Sequence, residues 1–237
     1  MTITRSATAP AAPAAATIDA DPLRVRVTSP PSPEWDAASA FVRAGYAEIY
    51  GALIDPSPDC FVLAARHRPD RLEEIVACGG MTFNSPRGFF SERYLDHSLE
   101  EALQRVAGAP VSRDDVVEVG SFVAVGGSGA ELIRLLPLLA WCQGMRYALC
   151  TATGALAAAL PQFGVPFLAL GRARPTWMTP SERRRWGTYY DHAPTTGLVP
   201  LDRIGDLVRA CTGRYRFLNL DVALRRTLPR EAMTDAR

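Results

Sequence analysis

The stretch V-V-E-V-G-S-F-V-A-V-G-G-S-G-A-E-L, residues 116–132, constrains the fold more than any other. Its first ten residues predict a strand, a glycine turn ends it, and an apolar helix begins at once. A strand joined this tightly to a helix belongs to an α/β arrangement. The same geometry can hold an anion, because the first N–H groups of a helix are unpaired and glycines let an oxyanion approach the backbone. The turn Gly126-Gly127-Ser128-Gly129 lacks the Lys-Ser/Thr of a P-loop and does not fit G-x-G-x-x-G. Nucleotide hydrolysis and a dinucleotide-binding fold are therefore disfavoured. A pyrophosphate carried by an organic donor suits the turn, and so does a plain connecting role.

One carboxylate interrupts the strand. Strict alternation puts Glu118, Gly120, Phe122 and Ala124 on one face and Val117, Val119, Ser121 and Val123 on the other. A carboxylate on a partly buried strand must be paired or face a cavity, since an unpaired buried charge is costly. Partial burial would raise its pKa toward that of a general base. The structural alternative is an ion pair with Arg113 or Arg146. Trp186, Tyr189 and Tyr190 offer a phenolic proton donor or an aromatic wall, with simple packing as the alternative. Serine-hydrolase chemistry has no G-x-S-x-G elbow to support it. Arg183-Arg184-Arg185, beside Arg172 and Arg174, reads as a solvated turn.

Composition narrows the function classes. Lys plus Arg number 26 against 25 Asp plus Glu, which gives no overall pull toward nucleic acid or membrane. Five widely spaced cysteines without a C-x-x-C pair fit a reducing cytoplasm better than a disulfide framework. The three histidines are scattered and predict no metal site. No apolar run is long enough to span a bilayer.

Along the chain, an Ala/Pro-rich tail over 1–21 is expected to be disordered. A strand at 23–27, a helix from Glu34 to about Ile54, and strands at 60–65 and 75–83 forming a hairpin come next. Ser98 with Glu101 predicts a capped helix to about Val106. Then come a strand at 116–125, a helix to about Gln143, a strand at 146–152, a helix at 155–163 and a strand at 166–170. Gly144 and Gly164 stand where helix C-caps belong. A weak helix lies near 202–211. One domain over 22–215 and an extension over 216–237 complete the reading.

Four segments, F-F-S-E-R-Y-L-D-H-S-L-E-E-A-L, S-R-D-D-V-V-E-V-G-S-F, C-T-A-T-G-A-L and W-G-T-Y-Y, resemble the bacterial thermostable hemolysin family in content, order and spacing over about residues 36–200. That family is similar in fold to GNAT acyltransferases and, more narrowly, to acyl-homoserine-lactone synthases. The resemblance implies a mixed, mostly antiparallel sheet flanked by helices. It also implies transfer of an acyl group from acyl-CoA or an acyl-carrier protein to a small-molecule amine, with no resident cofactor or metal. Residues 119–125 would line the pantetheine arm, among them Val123 and Val125, and Gly126, Gly127, Ser128, Gly129 and Ala130 would take the phosphate. Glu118 falls where the lactone synthases carry a glutamate near the acceptor amine, Arg43 loosely matches their N-terminal arginine, and Phe122, Thr151 and Thr153 would contact substrate. Tyr189 or Tyr190 would protonate the leaving thiolate. Two departures stand out. The lactone synthases read E-x-x-R-F where this chain has Ser121 before Phe122, and the acetyltransferase turn Q/R-x-x-G-x-G/A is matched only in its glycines. The family name suggests a membrane-lytic protein as a rival, and a GNAT-like binding module without catalysis is a third reading.

Overall fold

The computed structural model describes residues 23–68 and 71–216. The tail expected over 1–21 and the extension past Arg216 lie outside the described residues.

Seven strands form one sheet in the order β1-β2-β3-β4-β5-β7-β6. They are β1 (Arg24–Thr28), β2 (Cys60–Arg68), β3 (Arg71–Phe83), β4 (Val116–Ala124), β5 (Tyr147–Ala152), β6 (Leu168–Arg172) and β7 (Thr195–Pro200). Only β4 and β5 run parallel, and all other neighbours are antiparallel. The sheet is thus mixed and mostly antiparallel, as the resemblance implied. The described helices are α1 (Pro33–Tyr50), α2 (Leu99–Ala107), α3 (Gly129–Cys142), α4 (Gly154–Ala159), α5 (Pro180–Arg185) and α6 (Gly205–Cys211).

Local chemistry sets these boundaries. Ser32 caps α1 by accepting the N–H of Trp35, and Gly51, with φ of 64°, closes its far end. Ser98 caps α2 by accepting the N–H of Glu101, as predicted. Gly144 and Gly164 both adopt positive φ just beyond helical segments, also as predicted. The helix expected at 155–163 stops at Ala159, and Pro161 falls in the 3-10 turn that continues it. β7 lay unrecognised in T-T-G-L-V-P, where Gly and Pro masked a strand buried on both faces.

The larger core, including Val62, Met81, Val117, Leu132, Leu136 and Val199, lies between the sheet and helices α3 and α6. On the other face α1 packs Val42 and Tyr46 over Phe61, Leu63 and Val123. Here α1 crosses very close to β4: a Cβ on Gly45 would lie 2.4 Å from Cγ1 of Val123. Only glycine permits that approach.

The strict alternation read for β4 fails in its second half. Ser121 has a φ of 52°, and the register with β3 slips between Cys78↔Val123 and Gly80↔Gly120. This bulge inserts one residue and resets the faces. Phe122 and Ala124 therefore join Val117 and Val119 on the α3 side, while Val123 turns to α1. Glu118 and Phe122 do not share a face.

Candidate active site

The ladder between β4 and β5 ends at Val119↔Cys150. Both strands continue, β4 to Ala124 and β5 to Ala152, so beyond that rung they part and open a slot. On its α3 side the slot widens into an apolar cavity of ≈ 70 Å³ lined by Val119, Phe122, Leu136, Cys150, Ala152 and Val199, among others. Thr151 also lines it.

The glycine turn forms the mouth. Gly126 and Gly127 have φ of 58° and 77°, a region that L side chains adopt at a cost. Gly129 starts α3 hard against the end of β4, where a Cβ would sit 2.9 Å from that of Ala124. Ser128 is buried at this helix N-terminus, and its Oγ has no hydrogen-bond partner. Glycines, an orphaned buried hydroxyl and the N-terminus of a 14-residue helix suit a phosphate oxygen. Glu131, one turn in, would oppose such a charge, but its carboxylate is engaged by Arg134, Arg214 and Tyr215. Arg214 foremost holds that carboxyl below its usual range.

Glu118 sits on the opposite face, 8% exposed. Neither arginine expected as a partner reaches it: Arg113 binds Glu92 and Glu100, and Arg146 binds Asp115. Instead its Oε2 accepts the N–H of Phe90 and its Oε1 that of Ser91, both at 2.8 Å. These are the first N–H groups of a 3-10 turn, Phe90–Tyr94, and the N–H before them, that of Phe89, goes to Glu92. Glu118 therefore caps a turn. Burial pushes its pKa up, the Ser91 hydroxyl and the two N–H groups pull it down, and burial wins.

The capped turn carries a polar thread into the sheet. Thr151 donates to Ser91 Oγ at 2.9 Å and shares a 2.8 Å contact with Thr196. Tyr189 donates its O–H to the carbonyl of Thr151 at 3.4 Å. Thr151 thus joins the carboxylate side of the site to the phenol side.

Tyr189 is buried and belongs to an aromatic cluster with Tyr46, Tyr50, Trp186 and Tyr190. Burial raises its pKa far above the phenol range, so it stays protonated. The Tyr190 hydroxyl lies 2.6 Å from that of Tyr94. Cys150 lines the cavity, but burial first and nearby Glu118 second push its thiol up to about 12, which suits a structural residue.

Of the residues named from sequence, Glu118, Phe122, Thr151, Tyr189 and the glycine turn gather around the slot. Thr153 caps α4 by accepting the N–H of Leu156, Val123 is core, and Val125 is exposed. Arg43 is exposed and pairs with Asp55. Sequence reasoning missed Ser91, Thr196 and Tyr94. Ser91 and Tyr94 lay in the F-F-S-E-R-Y segment, where a small hydroxyl among aromatics was the available signal. Among the described residues no group of His, Cys, Asp and Glu is placed to hold a metal ion, and no helix is long and apolar enough to cross a membrane.

The family model described as thermostable hemolysin matches residues 28–203. No curated protein matches the chain. Among solved structures, the AHL synthase LasI aligns at TM-score 0.50 and 10% identity, covering 86% of this chain and 98% of its own. FeeM, an N-acyl amino acid synthase from uncultured soil microbes, aligns at 0.48 and 16%, covering 77% and 93%. BjaI, a CoA-dependent acyl-homoserine lactone synthase solved with SAM and isopentyl-CoA, aligns at 0.49 and 14%, covering 81% and 89%. At 10% identity the likeness to the AHL synthase LasI bears on the fold.

Proposed function

The chain belongs to the thermostable hemolysin family, and we propose that it is an N-acyltransferase taking its acyl group from a thioester, either acyl-CoA or an acyl-carrier protein. The observation that carries this reading is the slot beyond Val119↔Cys150, with a phosphate-suited turn at its mouth and a buried carboxylate at its wall. The AHL synthase whose fold it shares supports the same class.

The pantetheine arm lies along β4 past the bulge, with its phosphate at Gly126–Ala130. The acyl chain enters the apolar cavity under Phe122. An amine approaches from the Glu118 face and attacks the thioester carbonyl. The C–N bond forms, the C–S bond breaks, the amine proton passes to Glu118, and Tyr189 or solvent protonates the thiolate. A backbone N–H freed where β4 leaves β5 serves the oxyanion. A raised Glu118 pKa favours this role, because a base with a pKa nearer the working pH both accepts and returns a proton.

The test is thiol release and amide formation with short and long acyl-CoA and acylated carrier protein, each against a panel of primary amines. Turnover that Glu118→Gln lowers by about 10²-fold, with donor binding kept, supports the reading. A variant that turns over like the parent contradicts the role of Glu118.

A further inference from the structure

We propose that Thr151 and Ser91 relay the acceptor's proton to Glu118, an inference that rests on the acyl-transfer reading above. Glu118 has a difficulty as a base: each oxygen is already held by a backbone N–H, and the residue is 8% exposed. The hydroxyls beside it are as closed. Ser91 is 2% exposed and Thr196 0%. Thr151 is the member of the thread that borders the cavity between β4 and β5.

The thread has a direction. Thr151 spends its one proton on Ser91 Oγ at 2.9 Å. The 2.8 Å contact with Thr196 must then have Thr196 donating to Thr151. Ser91, whose oxygen accepts from Thr151, is held by its own backbone N–H against Glu118 Oε1 at 2.8 Å, so the relay has its hydroxyl hand a proton to that adjoining carboxylate. The Thr196 and Thr151 hydroxyls therefore both point along the thread toward Ser91 and the carboxylate beside it. Thr151 Oγ1 uses one lone pair on Thr196 and keeps the other for a proton arriving from the slot.

The step balances along this line. As the C–N bond forms, the nitrogen's N–H bond breaks and its proton goes to Thr151 Oγ1. The original Thr151 proton moves to Ser91, and that of Ser91 moves to Glu118. Each hydroxyl ends with one proton, and the carboxylate becomes a carboxylic acid. The thiolate takes a proton from solvent, to which the Glu118 carboxylic acid returns its own. Thr151 takes the proton from the reacting nitrogen and is a catalytic residue in this scheme, Ser91 passes the proton on to Glu118, and Thr196 orients Thr151.

The test compares Thr151→Val, which keeps shape and loses the hydroxyl, with Thr151→Ser, which restores it, and adds Ser91→Ala. Donor affinity is read separately by thermal shift with acyl-CoA. The expected result is a kcat about 10²-fold lower in Thr151→Val and Ser91→Ala, unchanged KM and donor affinity, and recovery in Thr151→Ser. Folded Thr151→Val with wild-type kcat overturns the relay, as does a Thr151→Ser variant as slow as Thr151→Val. If the wild type transfers no acyl group to any amine, the parent reading fails instead. Should Ser91→Ala not fold, the Thr151 pair alone decides.

Discussion

Glu118 holds Ser91 by its backbone: the carboxylate Oε1 accepts the Ser91 N–H at 2.8 Å. One strand residue thereby fixes the start of a turn 27 positions earlier in the chain. Capping and proton handling are compatible here, because an ionised carboxylate has about four acceptor positions and the caps use only some of them.

The raised pKa of Glu118 makes stability depend on pH. Its protonated form is favoured in the fold, so its contribution is complete below about pH 4 and is lost as pH rises through the raised folded value. Glu92 adds to the rise, while Cys150 and Tyr94 lie within electrostatic reach. Glu118→Gln leaves one of the two N–H groups unpaired, so it should lie below wild type near pH 4 by about 1–3 kcal/mol and close that gap as pH rises to 8. A variant that falls further behind with rising pH would mean that the folded pKa lies below the ordinary carboxylate value. Glu118→Ala should be less stable at every pH, by about 1–3 kcal/mol for each N–H left unpaired.

Gly45 controls how closely α1 approaches β4. Gly45→Ala should cost about 1–3 kcal/mol by overpacking against Val123, measured by denaturant titration. Val123→Ala in the same chain should recover part of that loss. Additive losses in the double variant would contradict the contact.

The turn glycines separate space from backbone strain. A Cβ at Gly127 meets nothing within 4 Å, but φ of 77° makes Gly127→Ala unfavourable by about 1 kcal/mol. Gly129→Val is blocked by Ala124 and Phe122. Its expected signature is loss of acyl-CoA affinity in a protein that circular dichroism still shows folded. Retained affinity would place the phosphate elsewhere.

Much of this arrangement was legible in the chain. The strand–turn–helix at 116–132, the Ser98 cap and the cap glycines follow from local chemistry, and each stands where the residues put it. The bulge at Ser121 was not legible, because alternation assumes an even pleat and nothing in G-S-F announces a positive φ at serine. The partner of Glu118 was not legible either. Sequence reasoning looked for an arginine, and the structure answers the charge with backbone N–H groups that carry no residue signature. The Ser91–Thr151–Thr196 thread joins three segments far apart in the chain, so only the fold could bring it together.

Tyr189 and Tyr190 are neighbours with separate tasks. Tyr189 reaches Thr151 in the slot, whereas Tyr190 meets Tyr94. Tyr189→Phe should lower kcat about tenfold or more with little change in KM, and Tyr190→Phe should leave kcat near wild type. The reverse order in steady-state kinetics would exchange their roles.

The central claim is that the slot between β4 and β5 holds an acyl thioester, and a thermal-shift titration tests it most directly. Coenzyme A, short- and long-chain acyl-CoA and an acylated carrier protein are compared, with Gly129→Val as control. The account predicts a saturable rise in melting temperature, about 2.7 kcal/mol of stabilisation at a hundredfold excess over Kd, larger for longer acyl chains and absent in the variant. No rise with any of these donors, in a protein that is folded and unliganded at the start, would contradict it.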